Sequence, residues 1–139
     1  MEGCETHVSL ETAELLNKVG FGWNCRGLYI GTGFLDAYFN DVVNGTGYKK
    51  IQAPTFDIAQ KWLREVKKVI IEVMYSNTDH NWYNRYCDQG IWGDGHWHNF
   101  ENKEPFKTYE DALEDGINNY LNILIRIEKR LEENNIERH

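Results

Sequence analysis

The stretch from residue 69 to residue 75, Val-Ile-Ile-Glu-Val-Met-Tyr, is the part of the sequence that decides the fold class. It is rich in β-branched and aromatic residues, which favour an extended strand. Successive side chains of a strand point to opposite faces, so the odd-numbered residues share one face and the even-numbered residues the other. A polar loop at 76–81 and an aromatic run at 82–87 follow. Together they predict a hairpin whose second strand returns antiparallel to the first.

Three segments outside this hairpin carry the apolar repeat of amphipathic helices. The first follows Ser9, which can cap the free amides of a first turn, and it stops at Gly20. The second follows Pro54 and has Thr55 as its cap, with an apolar face of Ala59, Trp62, Leu63 and Val66. The third follows Thr108 and is the longest, and its apolar stripe consists of Leu113, Ile117, Tyr120, Leu121, Leu124, Ile127 and Leu131.

Shorter strand-like runs complete the pattern. They lie at 28–30 and 35–39, between the first two helices, and at 91–92 and 96–100, after the hairpin. Strands that are close in sequence usually pair with each other, which favours antiparallel sheets. The sequence therefore predicts an α+β fold, with a small, mainly antiparallel sheet of 3–5 strands and three helices, the C-terminal one long. The whole chain, residues 1–139, is predicted to be a single domain.

Composition and charge exclude several classes of protein. The chain is 41% hydrophobic, which is enough for one core, and its 22 acidic against 15 basic residues give a net charge of -7. This charge makes nucleic-acid binding improbable, because affinity for phosphates depends on cationic side chains. No apolar run of about 18 residues is present, so no membrane span is expected. The acidic start at 1–5 is unlike a signal peptide, and we expect a cytoplasmic protein.

The three cysteines do not form a recognisable motif. Cys4, Cys25 and Cys87 are odd in number and have no CxxC spacing. We interpret them as reduced thiols of a cytosolic protein. A single cysteine without a flanking motif is typically a small buried apolar residue, and the sequence offers no nucleophile motif around any of the three.

Residues 78–100 hold an unusual concentration of aromatic side chains. Some of them are expected to fill the core or to pair across strands, since strands accommodate aromatic residues well. The alternative is a recognition surface, because Trp and Tyr are common at the energetic centres of protein interfaces. The candidate binding residues of such a surface are Trp82, Tyr86, Trp92 and Trp97.

Two histidines in the same stretch raise the question of a metal. His96 and His98 would lie on one face of a strand, a spacing that two metal ligands can use. A zinc site needs three or four ligands, and no further spacing supplies them. We therefore predict no metal, no cofactor and no catalytic residues. A small metal-dependent enzyme that uses His96 and His98 stays open as an alternative.

Three segments of the chain look familiar as a set. They are 4–13 (CETHVSLETA), Ala-Pro-Thr at 53–55 with QKWLRE at 60–65, and 108–116 (TYEDALEDG). This combination resembles small uncharacterised proteins of tailed bacteriophages and of prophages of gut bacteria. The resemblance covers both ends of the chain and implies an origin in a phage or mobile element. It implies no activity, and the family offers no catalytic residues to carry over.

These observations lead to one functional hypothesis and two rivals. The hypothesis is a non-enzymatic phage or prophage accessory protein that acts through contacts with an unidentified protein partner. The last helix could also form a homodimer, because Ile123 and Ile125 lie off its main stripe. The rivals are the metal-dependent enzyme and an acidic anti-host protein that mimics DNA. The carboxylates at 110–115 do not by themselves favour either rival, because they suit the positive end of a helix dipole.

Overall fold

The computed structural model describes residues 7–23, 25, 27–30, 33–35, 50–88, 97–99 and 105–137. In chain order these form α1 Leu10–Lys18, β1 Gly27–Ile30, β2 Gly33–Leu35, β3 Lys50–Ala53, α2 Phe56–Trp62, β4 Val69–Ser76, β5 Asn81–Asp88, β6 Trp97–His98 and α3 Tyr109–Glu137. A π-helical turn, Leu63–Lys67, continues α2. The predicted α+β class, with antiparallel strands and a long last helix, is confirmed.

The described strands divide between two sheets, both antiparallel and three-stranded. The orders are β2-β1-β3 and β4-β5-β6. Strands β4 and β5 pair along their full length, from Val69 opposite Asp88 to Ser76 opposite Asn81, which confirms the predicted hairpin. Of the shorter predicted strands, 28–30 lies within β1, and 35–39 overlaps β2 only at Leu35. The run 96–100 contains β6, while residues 36–39, 91–92, 96 and 100 lie outside the described residues.

Each of the three helices in the described residues begins at the predicted capping residue. The side-chain oxygens of Ser9, Thr55 and Thr108 each accept a hydrogen bond from the backbone N–H three residues further on, at 3.3, 3.3 and 3.1 Å. Gly20, just beyond α1, has a φ of +95°, a conformation that glycine adopts without strain. These local signals explain why the positions of the helices could be predicted from the sequence.

One core connects the helices with the hairpin. Buried apolar side chains of α1, α2, β4 and α3 form a continuous cluster that includes Leu16, Trp62, Ile71, Ile117 and Leu121. Helix α3 packs on the face of the hairpin that carries the odd-numbered residues of β4. Its orientation therefore decides which side chains of the hairpin are covered and which stay exposed.

Two residues assigned to apolar helix faces are not covered. Val66 is 47% exposed, because the chain widens into the π-helical turn and so turns this position away from the face of Ala59 and Trp62. Leu131 is 58% exposed, since the stripe of α3 is buried only as far as Leu124.

Ile123 and Ile125, in contrast, are partly buried against the core. They therefore have cover within their own chain, and the argument for a dimer through this part of α3 loses its basis.

Candidate functional site

A four-residue turn shapes the tip of the β4–β5 hairpin. Ser76 pairs with Asn81, so residues 77–80 form the loop, and His80 has a φ of +59°. The backbone N–H of His80 donates to the carbonyl oxygen of Ser76 at 2.9 Å, which closes the turn. This closure sets the register in which Tyr75 lies directly opposite Trp82.

Tyr75 and Trp82 pack against each other on the α3 side of the hairpin. Their ring centroids are 4.9 Å apart at an interplanar angle of 59°. The ring of Tyr109, at the first residue of α3, meets Trp82 edge to face, with centroids 5.6 Å apart at 86°. Both geometries are favourable for aromatic pairs. We call the three side chains Tyr75, Trp82 and Tyr109 the hairpin aromatic surface.

The hairpin aromatic surface is both accessible and firmly held. Tyr75 is 45% exposed and Tyr109 41% exposed, while Trp82 is half-buried between them. The backbone of Trp82 exchanges two hydrogen bonds of 2.9 Å with Phe106, which joins the hairpin to the start of α3. The hydroxyl of Tyr75 lies 3.1 Å from Nδ1 of His80, so its ring orientation is also fixed. The surface therefore presents exposed ring area on a rigid support.

The four predicted binding residues do not come together. Trp82 and Tyr86 share the face of the hairpin that α3 covers, about 13 Å apart along the strand. Tyr86 is only 7% exposed, and its ring packs between His98 and Tyr120. Tyr86 is thus part of the core. Trp92 lies outside the described residues.

Trp97 belongs to the opposite face of the same sheet. It pairs with Cys87 and is 38% exposed. The guanidinium of Arg85 lies over its ring, 4.3 Å from the centroid, and the same guanidinium donates to Glu72 at 2.6 and 2.7 Å. This arrangement is typical of an amphipathic surface contact that stabilises the sheet. Trp97 therefore cannot contribute to the hairpin aromatic surface.

Only one of the two histidines predicted to share a strand face, His98, lies within the described residues. His98 is partly buried and stacks on Tyr86 with centroids 5.3 Å apart, whereas His96 lies outside the described residues. In the described part of the chain no three His, Cys, Asp or Glu side chains gather where they could hold a metal ion. His98 thus stacks on a core residue, the same residue with which it pairs in the sheet.

The carboxylates near the start of α3 are used in packing. Glu114 accepts a hydrogen bond from the backbone N–H of Ser9 at 2.8 Å and another from the hydroxyl of Thr12 at 2.9 Å. Asp115 accepts from the side-chain amides of Asn84 and Asn119 at 3.2 and 2.8 Å. Two carboxylates of the acidic group at 110–115 therefore connect α3 to α1 and to the hairpin.

Sequence reasoning missed two of the three residues of the hairpin aromatic surface. The alternation of the strand places Tyr75 on the same face as Val69 and Ile71, but it does not predict that Tyr75 is exposed. No pattern in the sequence singles out Tyr109. The length of the turn could have revealed the contact of Tyr75, because a loop of residues 77–80 places Tyr75 opposite Trp82. The contact of Tyr109 depends on how α3 packs, and no local signal gives that.

Comparison with known protein families finds no match, and comparisons with curated protein sequences and with solved structures find none either. No helix within the described residues combines the length and the apolar character needed to cross a membrane.

Proposed function

We propose that this protein is a non-enzymatic accessory protein that acts through protein–protein contacts, and that the hairpin aromatic surface is its contact site. The observation that carries the proposal is the adjacent exposure of Tyr75 and Tyr109 around Trp82. Large aromatic side chains dominate the binding energy of many interfaces, since each buries a large area and has few rotatable bonds.

The rigid support of this surface also favours binding. Association costs free energy for every side chain and loop that must become ordered. Here the turn at 77–80 is closed by a backbone hydrogen bond, and Trp82 is held by Phe106. Little of the hairpin aromatic surface would therefore need to be ordered when a partner binds.

The charges beside the surface indicate what kind of partner fits. Glu110 and Asp111, next to Tyr109 at the start of α3, are exposed, as is Lys107 just before it, and the protein carries a net charge of -7. Oppositely charged groups around an apolar centre accelerate association and select the partner. The proposed partner accordingly presents an apolar or aromatic anchor within a basic rim.

The phage or prophage origin and the cytoplasmic location belong to the same proposal. The origin is supported by the segments at 4–13, 53–55 with 60–65, and 108–116, and the location by the three cysteines, which are odd in number and have no CxxC spacing. A protein from such an element would meet its partner among the proteins of the bacterial host or of the element itself.

Affinity capture with matched variants tests the contact site. Tagged wild-type protein is incubated with lysate of a gut bacterium, and the captured proteins are quantified by mass spectrometry. We expect one partner to be captured in near-stoichiometric amount and to be lost with Tyr75→Ala/Tyr109→Ala. The control is Ile58→Ala/Leu131→Ala, which removes exposed apolar side chains of 37% and 58% exposure elsewhere and should capture the partner normally.

The captured partner is then purified, and its dissociation constant is measured with each variant. Loss of a hot-spot aromatic residue typically weakens binding by at least about tenfold. Capture that is equal for both double variants would rule out the hairpin aromatic surface. A wild-type protein that captures nothing specific from host or phage-infected lysate would contradict the function itself.

A further inference from the structure

The hydrogen bonds of β5 show in which direction the backbone N–H and C=O groups of β4 point. The N–H and C=O of Trp82 are both bonded to Phe106, on the side of β5 that faces away from β4. Trp82 and Tyr75 therefore form a non-hydrogen-bonded pair of the antiparallel ladder. It follows that the N–H and C=O of Tyr75 also point away from β5, toward the outer edge of the sheet.

A second contact supports the same alternation. The side-chain amide of Gln60 donates to the carbonyl oxygen of Ile71 at 3.2 Å, so the backbone of Ile71 also faces outward. Val73 lies between Ile71 and Tyr75 and must have the same orientation. Within the described residues, no hydrogen bond satisfies the outward groups of Val73 and Tyr75. Among the described strands, the second half of β4 thus has no neighbour on its outer side and forms an edge of the sheet.

In the part of the chain that the structure describes, this edge lacks the usual protection against strand pairing. Natural edges are blunted by charged side chains, by proline, by bulges or by very short strands. Strand β4 has eight residues and pairs with β5 without a bulge, and Val73, Met74 and Tyr75 are uncharged. The one charged side chain of the strand, Glu72, is already paired with Arg85.

We propose that a second copy of this chain binds at the edge, with the two β4 strands antiparallel and a twofold axis at Met74. Val73 then lies opposite the partner's Tyr75, and Tyr75 opposite the partner's Val73. Both pairs consist of outward-facing residues, so the two copies exchange four backbone hydrogen bonds. The edge is self-complementary in this register, as an isologous dimer contact requires.

The side chains also fit this register. Met74 meets the partner's Met74 in a closely spaced pair, and methionine adapts its shape to such contacts. Glu72 lies opposite the partner's Ser76, so no like charges meet. An axis at Val73 instead would pair Ile71 with the partner's Tyr75. The hydrogen bond from Gln60 to the carbonyl oxygen of Ile71 would then have to break. The axis at Met74 keeps that hydrogen bond.

The dimer deepens the proposed protein-contact function and rests on it for its biological meaning. Pairing of the two edges would form a continuous six-stranded sheet with both α3 helices on the same face. The Cα atoms of the two Tyr75 residues would lie about 8 Å apart, given the spacings of antiparallel strands. The two hairpin aromatic surfaces would become one composite surface, to which each copy contributes Tyr75, Trp82 and Tyr109.

Sedimentation equilibrium of the purified chain tests the dimer. Because only a short strand edge is buried, we expect a dissociation constant of roughly 1–100 µM. The weight-average mass should rise from 16.4 kDa toward about 33 kDa, twice the chain mass, as the concentration increases. Wild-type protein that stays at 16.4 kDa up to about 500 µM, well above that range, would overturn the proposal.

Charge substitutions at the axis locate the interface. Met74→Glu and Met74→Lys each place like charges across the twofold axis, so each variant alone should be monomeric. An equimolar mixture of the two should dimerise again, because opposite charges then meet. The control is Ile70→Glu on the same face of the strand, which has no residue of the partner strand opposite it and should dimerise like the wild type. A mixture that stays monomeric, or a Met74→Glu variant that still dimerises, would contradict the axis.

A backbone variant gives independent evidence. Val73→Pro removes an outward N–H and no hydrogen bond of the β4–β5 ladder, so the hairpin should survive while the dimer is lost. Circular dichroism confirms that the variant is folded. The outcomes also separate the two proposals: a monomeric wild type that captures its partner refutes only the dimer, and a dimer without a partner refutes only the contact function.

Discussion

At the scale of single residues, the burial of Cys25 lowers the reactivity of its thiol. Burial raises the pKa of its thiol to about 11, and the sulfur donates to the carbonyl oxygen of Trp23 at 3.4 Å. The thiolate is the reactive form, so a raised pKa makes this cysteine a poor nucleophile at neutral pH. The interpretation of Cys25 as an inert apolar residue agrees with this environment.

Alkylation rates test this directly. At pH 8 we expect Cys25 of the folded protein to react with iodoacetamide on the order of 100-fold more slowly than an unperturbed thiol, because its thiolate fraction is that much smaller. Peptide mass spectrometry after timed labelling measures the rate, and labelling in urea provides the control. Equal rates in the folded and the denatured protein would contradict the effect of burial.

Asp79 and Tyr83 form a pair on the exposed tip of the hairpin. The hydroxyl of Tyr83 donates to the Asp79 carboxylate, and this hydrogen bond is the largest cause that lowers the pKa of Asp79. Because the folded pKa is the lower one, the stabilisation is present above the ordinary value of 3.8. It is lost as the pH falls through the folded pKa.

Removal of the Tyr83 hydroxyl should therefore shift this titration. We expect Tyr83→Phe to raise the pKa of Asp79 toward its ordinary value, measured by the carboxyl carbon shift in an NMR titration. Tyr75→Phe is the matched control, because the Tyr75 hydroxyl contacts His80 and not Asp79. An Asp79 pKa that is the same in Tyr83→Phe and in the wild type would refute the assigned cause.

At the scale of elements, Gly116 determines how closely α3 approaches the hairpin. A Cβ atom at this position would lie 3.0 Å from Cγ2 of Ile71 and 3.4 Å from Cβ of Asn84. The helix tolerates a glycine here, although alanine would be a better helix former by about 1 kcal/mol. The close contact between helix and sheet explains the glycine better than any local preference does.

Gly116→Ala should consequently destabilise the protein. We expect the overpacking to outweigh the gain in helix propensity and to lower the free energy of unfolding by about 1 kcal/mol. In an Ile71→Ala background, which removes the methyl group in contact, the same substitution should stabilise the protein instead. Urea denaturation of the four proteins measures both effects. A Gly116→Ala protein more stable than the wild type would show that the contact is absent.

At the scale of the whole molecule, the two sheets share one core. The buried cluster contains residues of α1, α2, β4 and α3, and Tyr29 and Ile51 of the first sheet pack against it. Val8 also donates to the carbonyl oxygen of Pro54 at 2.9 Å, which ties the start of the chain to the end of β3. A core that crosses both sheets predicts cooperative unfolding of the domain.

We expect one unfolding transition that is identical by far-UV circular dichroism and by tryptophan fluorescence. Leu16→Ala in α1 should lower the free energy of unfolding by about 2–5 kcal/mol, and Ile117→Val in α3 by about 1 kcal/mol. Each substitution should shift both signals equally when measured at low protein concentration. Two separate transitions, or a shift seen by one probe alone, would contradict a shared core.

The sequence by itself determined the helices, their caps and the β4–β5 hairpin. Those features depend on contacts within a few residues, such as Ser9 with the N–H of Thr12. They also depend on the regular spacing of apolar residues, which can be read directly from the sequence. It also determined the class of the fold, since antiparallel pairing follows from short connections. The origin and the function stay predictions, because neither follows from local structure.

Only the tertiary structure decided which aromatic residues are exposed and what lies beside them. Tyr86 is buried and Trp97 lies on the far face, whereas Tyr109 reaches Trp82 across a gap of 27 residues in the sequence. The physical reason is that burial depends on how α3 crosses the hairpin, and that crossing is set by packing at Gly116 and by hydrogen bonds such as Thr12 to Glu114. Such contacts join residues far apart in the chain, and no periodicity or composition encodes them.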